Sequence, residues 1–553
     1  MADIKAKREA ALQRWAQLTQ NRASWLEHWK ELGRYMLPRS GRFDDPTEAN
    51  APNAGGKKQQ HILDNTAQRS VNIATAGLLT GASSPARPWF KLKTPYDDLN
   101  LREPVRRWLS EVEKRMRDVF ARSNTYRAIR QMDQELLTFG TSGSICLPDF
   151  ERVLHDHPLT IGEYAIDVNE KGFVDTVYRK FGLRVGQVVQ RFGYQNCSQH
   201  VRNMYDRKSL DQFVPVLHVV EPRRERNPLR VDNKNMPWTS NYFECGAQDN
   251  EQLRESGYDL FPATIPRWET RGDNVYGDSP GMMTLGDVKQ LQVQQLRKSQ
   301  AIDFMALPPL QIPGRQKVDL TPGAQNYFDT TGPGNQVQNL MNVNMDLQHL
   351  LADIQDVRMR IQNAFFVDMF LLIANDSRAQ PATAREIAER HEEKLLMLGP
   401  VLESLHDEML APRVELAFAY MLRADLIPTP PSELQGVALN VQFISLLAQA
   451  QRLVGVNSID RLLGTVATMA AVKPEIVDKI DSDNVVDIYA DLLGADPKAV
   501  VANEKVALIR DQRAREQQKM AAAQLAPGIA GAARDVAEAQ QISGAGQAPL
   551  TGG

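Results

Sequence analysis

Residues 307–343 read LPPLQIPGRQKVDLTPGAQNYFDTTGPGNQVQNLMNV, and this stretch decides how the chain around it folds. Proline and glycine recur through it and separate short pieces of extended chain, so it cannot continue a helix. A helical pattern runs up to it over residues 282–306, and a second one follows over residues 345–366. The sequence therefore predicts a compact loop-and-strand insert carried between two helices.

The second of these helices has the clearest helical pattern in the chain. Its apolar residues recur at intervals of three and four: Leu347, Leu350 or Leu351, Ile354, Val357, Ile361 and Phe365. A break, ANDSRAQP at 374–381, follows it. A heptad-like apolar seam then predicts a long helix to about residue 423, kinked at Pro400 and Pro412. The predicted order is helix, insert, helix, loop and long helix.

The rest of the chain is mostly helical, with one β-rich section. Helical patterns cover residues 3–37, 62–80, 102–122, 125–139 and 433–520. Short β-rich runs lie at 163–168, 173–181, 214–220 and 241–244, separated by glycine, proline and asparagine. A low-complexity tail begins at Pro527. The predicted fold class is α+β, predominantly helical.

Composition excludes several classes of protein. A chain of 553 residues predicts several domains. Its 65 Lys and Arg nearly balance its 68 Asp and Glu, which argues against a protein that grips nucleic acid tightly. Cys146, Cys197 and Cys245 have neither disulfide nor zinc spacing, which fits folding in a reducing cytoplasm. The most apolar run, 365–374, is too short to span a membrane.

Motifs that could carry chemistry are all incomplete. Gly55-Gly56-Lys57 lacks the glycine and hydroxyl residue of a phosphate loop, since Ala51 and Lys58 stand there. The run 140–144 ends in Ser144 where a nucleophile elbow needs glycine, so we interpret it as a helix-to-strand turn. The run 155–157, His-Asp-His, is interpreted as an exposed turn, and His391 as a packing residue. We predict no enzyme activity, catalytic residue, metal or cofactor.

Four stretches together resemble the head-to-tail connector, or portal, family of short-tailed, podovirus-like phages. They are Leu63–Thr66 with 78–90, Ile265–Trp268 with Tyr276–Gly281, Thr383–Pro412, and Ile444–Gln451. Their order and spacing agree with the family over about residues 10–515. Leu446 stands where the family often has proline, which is a minor departure.

The resemblance implies the portal architecture, assembled into a ring of twelve subunits. The implied parts are a wing at 1–279, stem helices at 280–306 and 345–366, a clip at 307–344, a tunnel loop at 367–383, a long wing helix at 384–432, a crown at 433–526 and a tail or short barrel at 527–553. A ring repeats one head-to-tail contact until it closes, so each subunit must bury apolar helix faces against its neighbours.

The resemblance also implies function and partners. The ring would sit at one capsid vertex of the virion and pass double-stranded DNA during packaging and ejection. It would bind the terminase motor, then the tail adaptor and tail proteins, beside the major capsid and scaffolding proteins. The residues implied to face DNA are Asn375, Ser377, Arg378, Gln380 and Thr383. Those implied to bind terminase or adaptor are Pro313, Arg315, Lys317, Tyr327 and Phe328.

Three alternatives remain open from the residues. A helical scaffold or adaptor without a DNA channel would explain the long seam but not the α/β section or the insert. A nucleotide-driven packaging motor would need the phosphate loop that is incomplete here. A membrane pore has only the short apolar run 365–374 in its favour, and we expect no stable membrane insertion.

Overall fold

The structure is a computed structural model. It describes residues 2–43, 56–230, 232–246, 252–307, 347–374 and 397–445, with shorter pieces at 310–312, 318–319, 324–325, 327, 338–339, 447–449, 464–469, 473, 479, 481, 485–486, 501 and 506–518. Among these residues, no helix combines the length and apolar character needed to cross a membrane.

Helices and strands alternate in blocks along the chain. The helices are α1 Ala2–Asn21, α2 Ala23–Tyr35, α3 Thr66–Ala82, α4 Asp97–Leu101, α5 Glu103–Arg122, α6 Thr125–Phe139, α7 Val185–Phe192, α8 Gln199–Asp206, α9 Pro280–Ala306, α10 Gln348–Ala364, α11 Val367–Ala374, α12 397–405 and α13 Ala411–Arg423. The strands are β1 Phe90–Lys93, β2 Gly143–Asp149, β3 Val153–Leu159, β4 Tyr164–Val168, β5 Val174–Arg184, β6 Phe213–Pro222, β7 Trp238–Glu244, β8 Gln252–Tyr258, β9 Ala263–Thr264, β10 Leu310–Gln311, β11 Gln338–Asn339 and β12 Asn440–Phe443. The fold is α+β, as the sequence predicts.

The chain divides into two compact units. The larger contains Met1–Lys93, Leu109–Thr429 and Leu439–Asn457, and the sheets formed by the described residues lie in it. The smaller contains Thr94–Trp108, Pro430–Ala438 and Ser458–Gly553. Within the smaller unit, the Asn100 side chain accepts a hydrogen bond of 2.8 Å from the Thr94 backbone N–H and donates one of 3.0 Å to the Thr94 carbonyl.

The β-rich section forms a five-stranded antiparallel sheet in the order β4-β5-β6-β7-β8. Side chains alternate across it, because successive residues of a strand point to opposite faces. On one face, Val214 and Val216 of β6 pack in a core with α7 and α8. On the other, Leu217 and Val219 pack in a core with α1. The sheet is therefore covered by helices on both faces.

A smaller sheet, in the order β3-β2-β9, begins at the predicted helix-to-strand turn. Gly140 ends α6 with φ 78°, a left-handed conformation that glycine adopts without penalty, and β2 starts at Gly143. A side chain at Gly140 would place its Cβ 2.0 Å from the Gly277 carbonyl oxygen. The interpretation of this run as a turn is confirmed.

The interpretation of residues 155–157 as an exposed turn is wrong. They lie in β3, and Asp156 is fully buried there. Its carboxylate accepts a hydrogen bond of 2.7 Å from Thr125 and lies 3.1 Å from the guanidinium of Arg413 on α13. The turn interpretation failed because the partner of Asp156 is about 250 residues away in the sequence, where no local pattern shows it.

The Arg413 side chain is also fully buried. Its Nη2 donates to the hydroxyls of Ser144 on β2 and Thr264 on β9, the latter at 3.0 Å. Burial raises the pKa of the neighbouring Asp133 carboxyl to about 8, although the positive charge of Arg413 opposes the rise. Asp133 therefore stays largely protonated at neutral pH, and Arg413 is balanced mainly by Asp156.

Two predicted helices differ from those observed. The single helix expected over residues 3–37 is two, α1 and α2, which meet at the buried Arg22. Arg22 donates to the Tyr164 carbonyl, which ties the junction to β4. Near the C-terminus, residues 440–443, expected to be helical, form β12 and pair antiparallel with β1. A four-residue strand gives too few residues for alternation to be recognised.

The long helix predicted from residue 384 is described only from residue 397. A turn of π-helix, His406–Leu410, separates α12 from α13, and Pro412 lies in the first turn of α13. Proline lacks the N–H that an α-helix needs, so the ladder of hydrogen bonds is interrupted here. Residues 384–396, including His391, and the tail at 527–553 lie outside the described residues.

Candidate functional site: the helical hairpin and its anchors

Helices α9 and α10 pack as an antiparallel pair, which we call the helical hairpin. Asp287 of α9 lies 3.3 Å from Arg360 of α10, and Gln294 is hydrogen-bonded to Asp353. Seven residues forward along α9 thus correspond to seven residues backward along α10. The bounds, 280–306 and 348–364, lie close to those expected from the sequence.

The insert is closed at its base by a short strand pair. Leu310 and Gln311 of β10 pair antiparallel with Asn339 and Gln338 of β11. Of the residues predicted to bind partners, Tyr327 is 88% exposed, and its hydroxyl donates to Gln325 over 2.9 Å. Pro313, Arg315, Lys317 and Phe328 lie outside the described residues.

Asp64, in the stretch Leu63–Thr66, binds both helices of the hairpin. Its Oδ2 lies 2.7 Å from Nη2 of Arg358 on α10 and accepts a hydrogen bond of 3.1 Å from Gln295 on α9. Burial would raise the pKa of this carboxyl, but hydrogen bonds from Thr66 and Arg358 hold the pKa below its usual value. An ionised carboxylate therefore links the loop before α3 to the hairpin. We call this group the Asp64 anchor.

Gln292 of α9 completes the anchor by forming hydrogen bonds with the backbone of the same loop. Its Oε1 accepts hydrogen bonds from the N–H groups of Leu63 and Asp64, at 2.7 and 3.0 Å. Its Nε2 donates to the Asp64 carbonyl at 2.9 Å. Sequence reasoning missed Gln292, because a glutamine on a mixed helix face carries no local signal of its partner.

The motif Tyr276–Gly281 fixes where α9 begins. Ser279 caps the helix by accepting a hydrogen bond of 3.0 Å from the Met282 N–H, and it donates one of 2.8 Å to the Thr138 carbonyl. Pro280 occupies the first turn, where no N–H is needed. A Cβ at Gly281 would lie 2.6 Å from the Thr138 oxygen, so only glycine permits this approach of α9 to α6.

A second anchor joins the motif Ile265–Trp268 to the π-helical turn. The Arg267 backbone N–H donates to Glu408 at 2.9 Å, and its Nε donates to the same carboxylate at 3.1 Å. Its Nη2 also reaches the Gly172 carbonyl at 2.7 Å. Arg267 and Glu408 are largely buried, so this paired and fully bonded arrangement holds the turn in place.

The first eight residues of the predicted tunnel loop are helical. They form α11, which packs against α3 with Met369 and Phe370 fully buried. A Cβ at Gly77 of α3 would lie 2.3 Å from the Phe370 ring, so the glycine makes room for it. The residues predicted to face DNA, Asn375, Ser377, Arg378, Gln380 and Thr383, lie outside the described residues.

Chemistry-bearing clusters are sparse in the part of the chain that the structure describes. No group of three or more His, Cys, Asp or Glu side chains in it has the geometry to hold a metal ion. What these residues build instead is a set of anchors that fix the helical hairpin and the π-helical turn.

Comparison with known proteins shows the family to which the chain belongs. Residues 8–501 match the family model for the bacteriophage head to tail connecting protein. The chain belongs to this family. It is 50% identical over 515 residues to a probable portal protein of Bordetella phage BPP-1, covering 93% of this chain and 92% of that one. It is 39% identical over 539 residues to the portal protein of Salmonella phage epsilon15, covering 97% and 96%.

The resemblance drawn from the four sequence stretches is thus confirmed, and the chain is a phage portal protein of a structural family. The alternative of a helical scaffold or adaptor is not favoured. Among solved structures, a chain of the virion of the native gene transfer agent (GTA) particle is similar over 82% of this chain and 96% of its own, with 13% identity and a TM-score of 0.31. A likeness at this level indicates nothing further about the portal chain.

Proposed function

We propose that twelve copies of this portal chain form a ring at one capsid vertex, through which double-stranded DNA is packaged and later ejected. The ring binds terminase during packaging and the tail adaptor and tail proteins afterwards, and it acts as a channel without enzyme activity of its own. The observation that carries this proposal is the similarity to two phage portal proteins, at 50% and 39% identity over nearly the whole chain.

In this proposal the helical hairpin is the stem, and residues 307–344 are the clip that meets terminase or adaptor. The wing is residues 1–279, the tunnel loop 367–383, the long wing helix 384–432 and the crown 433–526. The strand pair β10–β11 supports a clip that leaves one stem helix and returns to the other.

Exposed apolar side chains on α9 of the helical hairpin support the proposal that the chain assembles into a ring. Val293, Leu296 and Phe304 lie close to one face of α9, Leu307 follows the end of the helix, and each is exposed in the single chain. Apolar patches of this kind commonly mark protein interfaces. Covering them with the next subunit would repeat one contact around the ring until it closes.

The charge of the chain supports a channel in which DNA slides. Formal net charge is −3, and α9 and α10 carry both signs, several of them already paired, as in Asp287–Arg360 and Asp64–Arg358. Each strong contact of a basic side chain with phosphate would add affinity through counterion release and would resist movement. A wall of mixed charge avoids that resistance.

Electron microscopy of the purified full-length chain tests the proposal. We expect rings of twelve subunits with a central hole wide enough for duplex DNA. Purified rings added to empty capsids and terminase should support DNA packaging, whereas ATP hydrolysis should depend on terminase alone. Filaments, closed particles without a hole, or monomers at every concentration would contradict the proposal.

A further inference from the structure

Strands β2 and β3 form a β-hairpin, and the turn that joins them carries an exposed phenylalanine. Asp149 and Val153 are the last paired residues, and Phe150 is fully exposed between them. Asp149 accepts a hydrogen bond of 3.0 Å from the Glu151 N–H, which holds the turn. Arg152 is exposed at the same tip. We call Phe150 and Arg152 the tip pair.

The turn that presents the tip pair is strained. Val153 has φ 72°, a left-handed conformation that costs energy for a β-branched residue. The other end of the β2–β3 strand pair is held in place, since β2 pairs with β9 as well as β3. Ser144 of β2 is also hydrogen-bonded to the buried Arg413. A rigid strand pair thus projects an aromatic ring into solvent, at a cost in backbone strain. Strain of this kind points to a functional role for the turn.

A separate apolar pocket of about 240 Å³ lies beside the π-helical turn. Its walls include Phe173, Leu260, Phe261, Ile265 and Leu416. It is smaller than the roughly 300–1,000 Å³ typical of small-molecule sites, and it suits one large side chain.

Two exposed carboxylates, Asp407 and Glu415, also line this pocket. Neither has an ion-pair partner among the residues that the structure describes. The third carboxylate there, Glu408, is already bound by Arg267. An apolar cavity lined by two exposed carboxylates favours an occupant that has an apolar end and a positive charge beside it.

We propose that the tip pair of one portal subunit docks in this pocket of the next subunit, with Phe150 in the cavity and Arg152 against Asp407 and Glu415. Phe150 supplies the ring, and Arg152, two residues away, supplies the complementary charge. The tip and the pocket are formed by different residues of one chain, so a contact between them in two subunits is head-to-tail, the type that closes rings. This inference rests on the proposed function and names a contact within it.

Photo-cross-linking from position 150 tests the contact in the full-length protein. Phe150 is replaced by p-benzoylphenylalanine, and light and isotopically heavy chains are mixed before assembly. We expect peptides that join position 150 of one chain to residues 260–265 or 407–416 of another. The same probe at Leu229, which is 91% exposed in another loop, is the control and should give none of these peptides.

The outcomes separate this inference from the proposed function. Rings that give no cross-link, cross-links within one chain, or cross-links to another segment overturn the tip-and-pocket contact and leave the ring intact as a proposal. A chain that forms no ring under any condition overturns both.

Charge reversal gives a second measurement of the same contact. Arg152→Glu and Glu415→Arg should each raise the subunit concentration needed for half-assembly by roughly fivefold, since one partly exposed charge pair is weakened. The double variant should return close to the original value. Glu151→Arg is the matched control at the same tip. Single variants without effect, or a double variant worse than both singles, would contradict the pairing.

Discussion

Arg413 and Asp156 are both fully buried and lie 3.1 Å apart, so each neutralises a charge that water cannot reach. Arg413→Leu should destabilise the larger unit by about 3–5 kcal/mol, because it leaves the Asp156 carboxylate buried and unpaired. The measurement is urea-induced unfolding followed by tryptophan fluorescence, below the concentration at which subunits assemble.

The matched control is Arg423→Leu, at the other end of the same helix. Arg423 pairs with Asp259, but both side chains are about half exposed, so the loss should stay below about 1 kcal/mol. Equal effects of the two variants would show that burial does not decide the strength of these pairs.

Asp133 gives a pH dependence with a definite sign. Burial raises its pKa from the ordinary 3.8 to about 8, so the folded chain holds a proton that the unfolded chain releases. Its contribution to stability is therefore complete below pH 4 and is lost as pH rises towards 8, by at most about 1.4 kcal/mol per pH unit. Asp133→Asn cannot ionise and should flatten the fall in unfolding midpoint between pH 5 and pH 8.

The exposed Asp211→Asn serves as control for Asp133→Asn, since Asp211 is 91% exposed. Part of the slope should persist in the Asp133 variant, because burial also raises the pKa of Glu113 and Glu135 to about 7. An unchanged slope in Asp133→Asn would show that this carboxyl is ionised in the folded chain.

The contact between α3 and α11 depends on a glycine, Gly77, that leaves room for the Phe370 ring. Gly77→Ala should cost about 1–3 kcal/mol, because its new Cβ meets the Phe370 ring of α11 and the packed helices cannot separate freely. Gly286→Ala on α9 meets nothing within 4 Å and should stabilise its helix by about 0.5–1 kcal/mol. Unfolding midpoints and amide exchange of α11 measure both.

Gly77→Ala should lower stability and Gly286→Ala should raise it, so comparing the two separates the effect of packing from that of helix propensity. If Gly77→Ala were neutral and α11 exchanged no faster, the contact between α3 and α11 would not be needed to hold α11. Because α11 comprises the first eight residues of the predicted tunnel loop, this contact fixes the position of that part of it.

Helix prediction succeeded where apolar spacing was long and regular. α5 and α6 lie within one residue of their predicted bounds, and the hairpin helices within three. It failed at β12 and did not include α11, and both segments are short. A short segment takes its conformation from its neighbours, such as β1 beside β12 and α3 beside α11, and these contacts are not visible in local sequence.

The proposed tunnel loop acts on DNA only in the assembled ring. Deleting residues 375–381 should leave rings that still form, because the exposed apolar face of α9 and the proposed tip contact lie elsewhere in the chain. The same rings should package DNA more slowly or lose it after packaging. Packaged DNA protected from nuclease, measured over time, distinguishes the two effects.

A glycine-serine segment of equal length in place of 375–381 separates the loop's length from its side chains. Full activity of this replacement would assign the effect to length, and loss would assign it to Asn375, Ser377, Arg378 and Gln380. Unchanged packaging and retention after deletion would contradict a role of this loop at the DNA.

The sequence by itself determined the class of the fold, the order helix, insert, helix, and the family, because periodicity, proline and glycine positions and four spaced motifs are local properties of the chain. Only the tertiary structure decided which residues bind those motifs and the other buried charges. Asp64 binds Gln292 and Arg358, Arg267 binds Glu408, and Asp156 binds Arg413 across roughly 140 to 290 residues of sequence. A buried charge must find a partner wherever the folded chain brings one close, and sequence spacing does not reveal that partner.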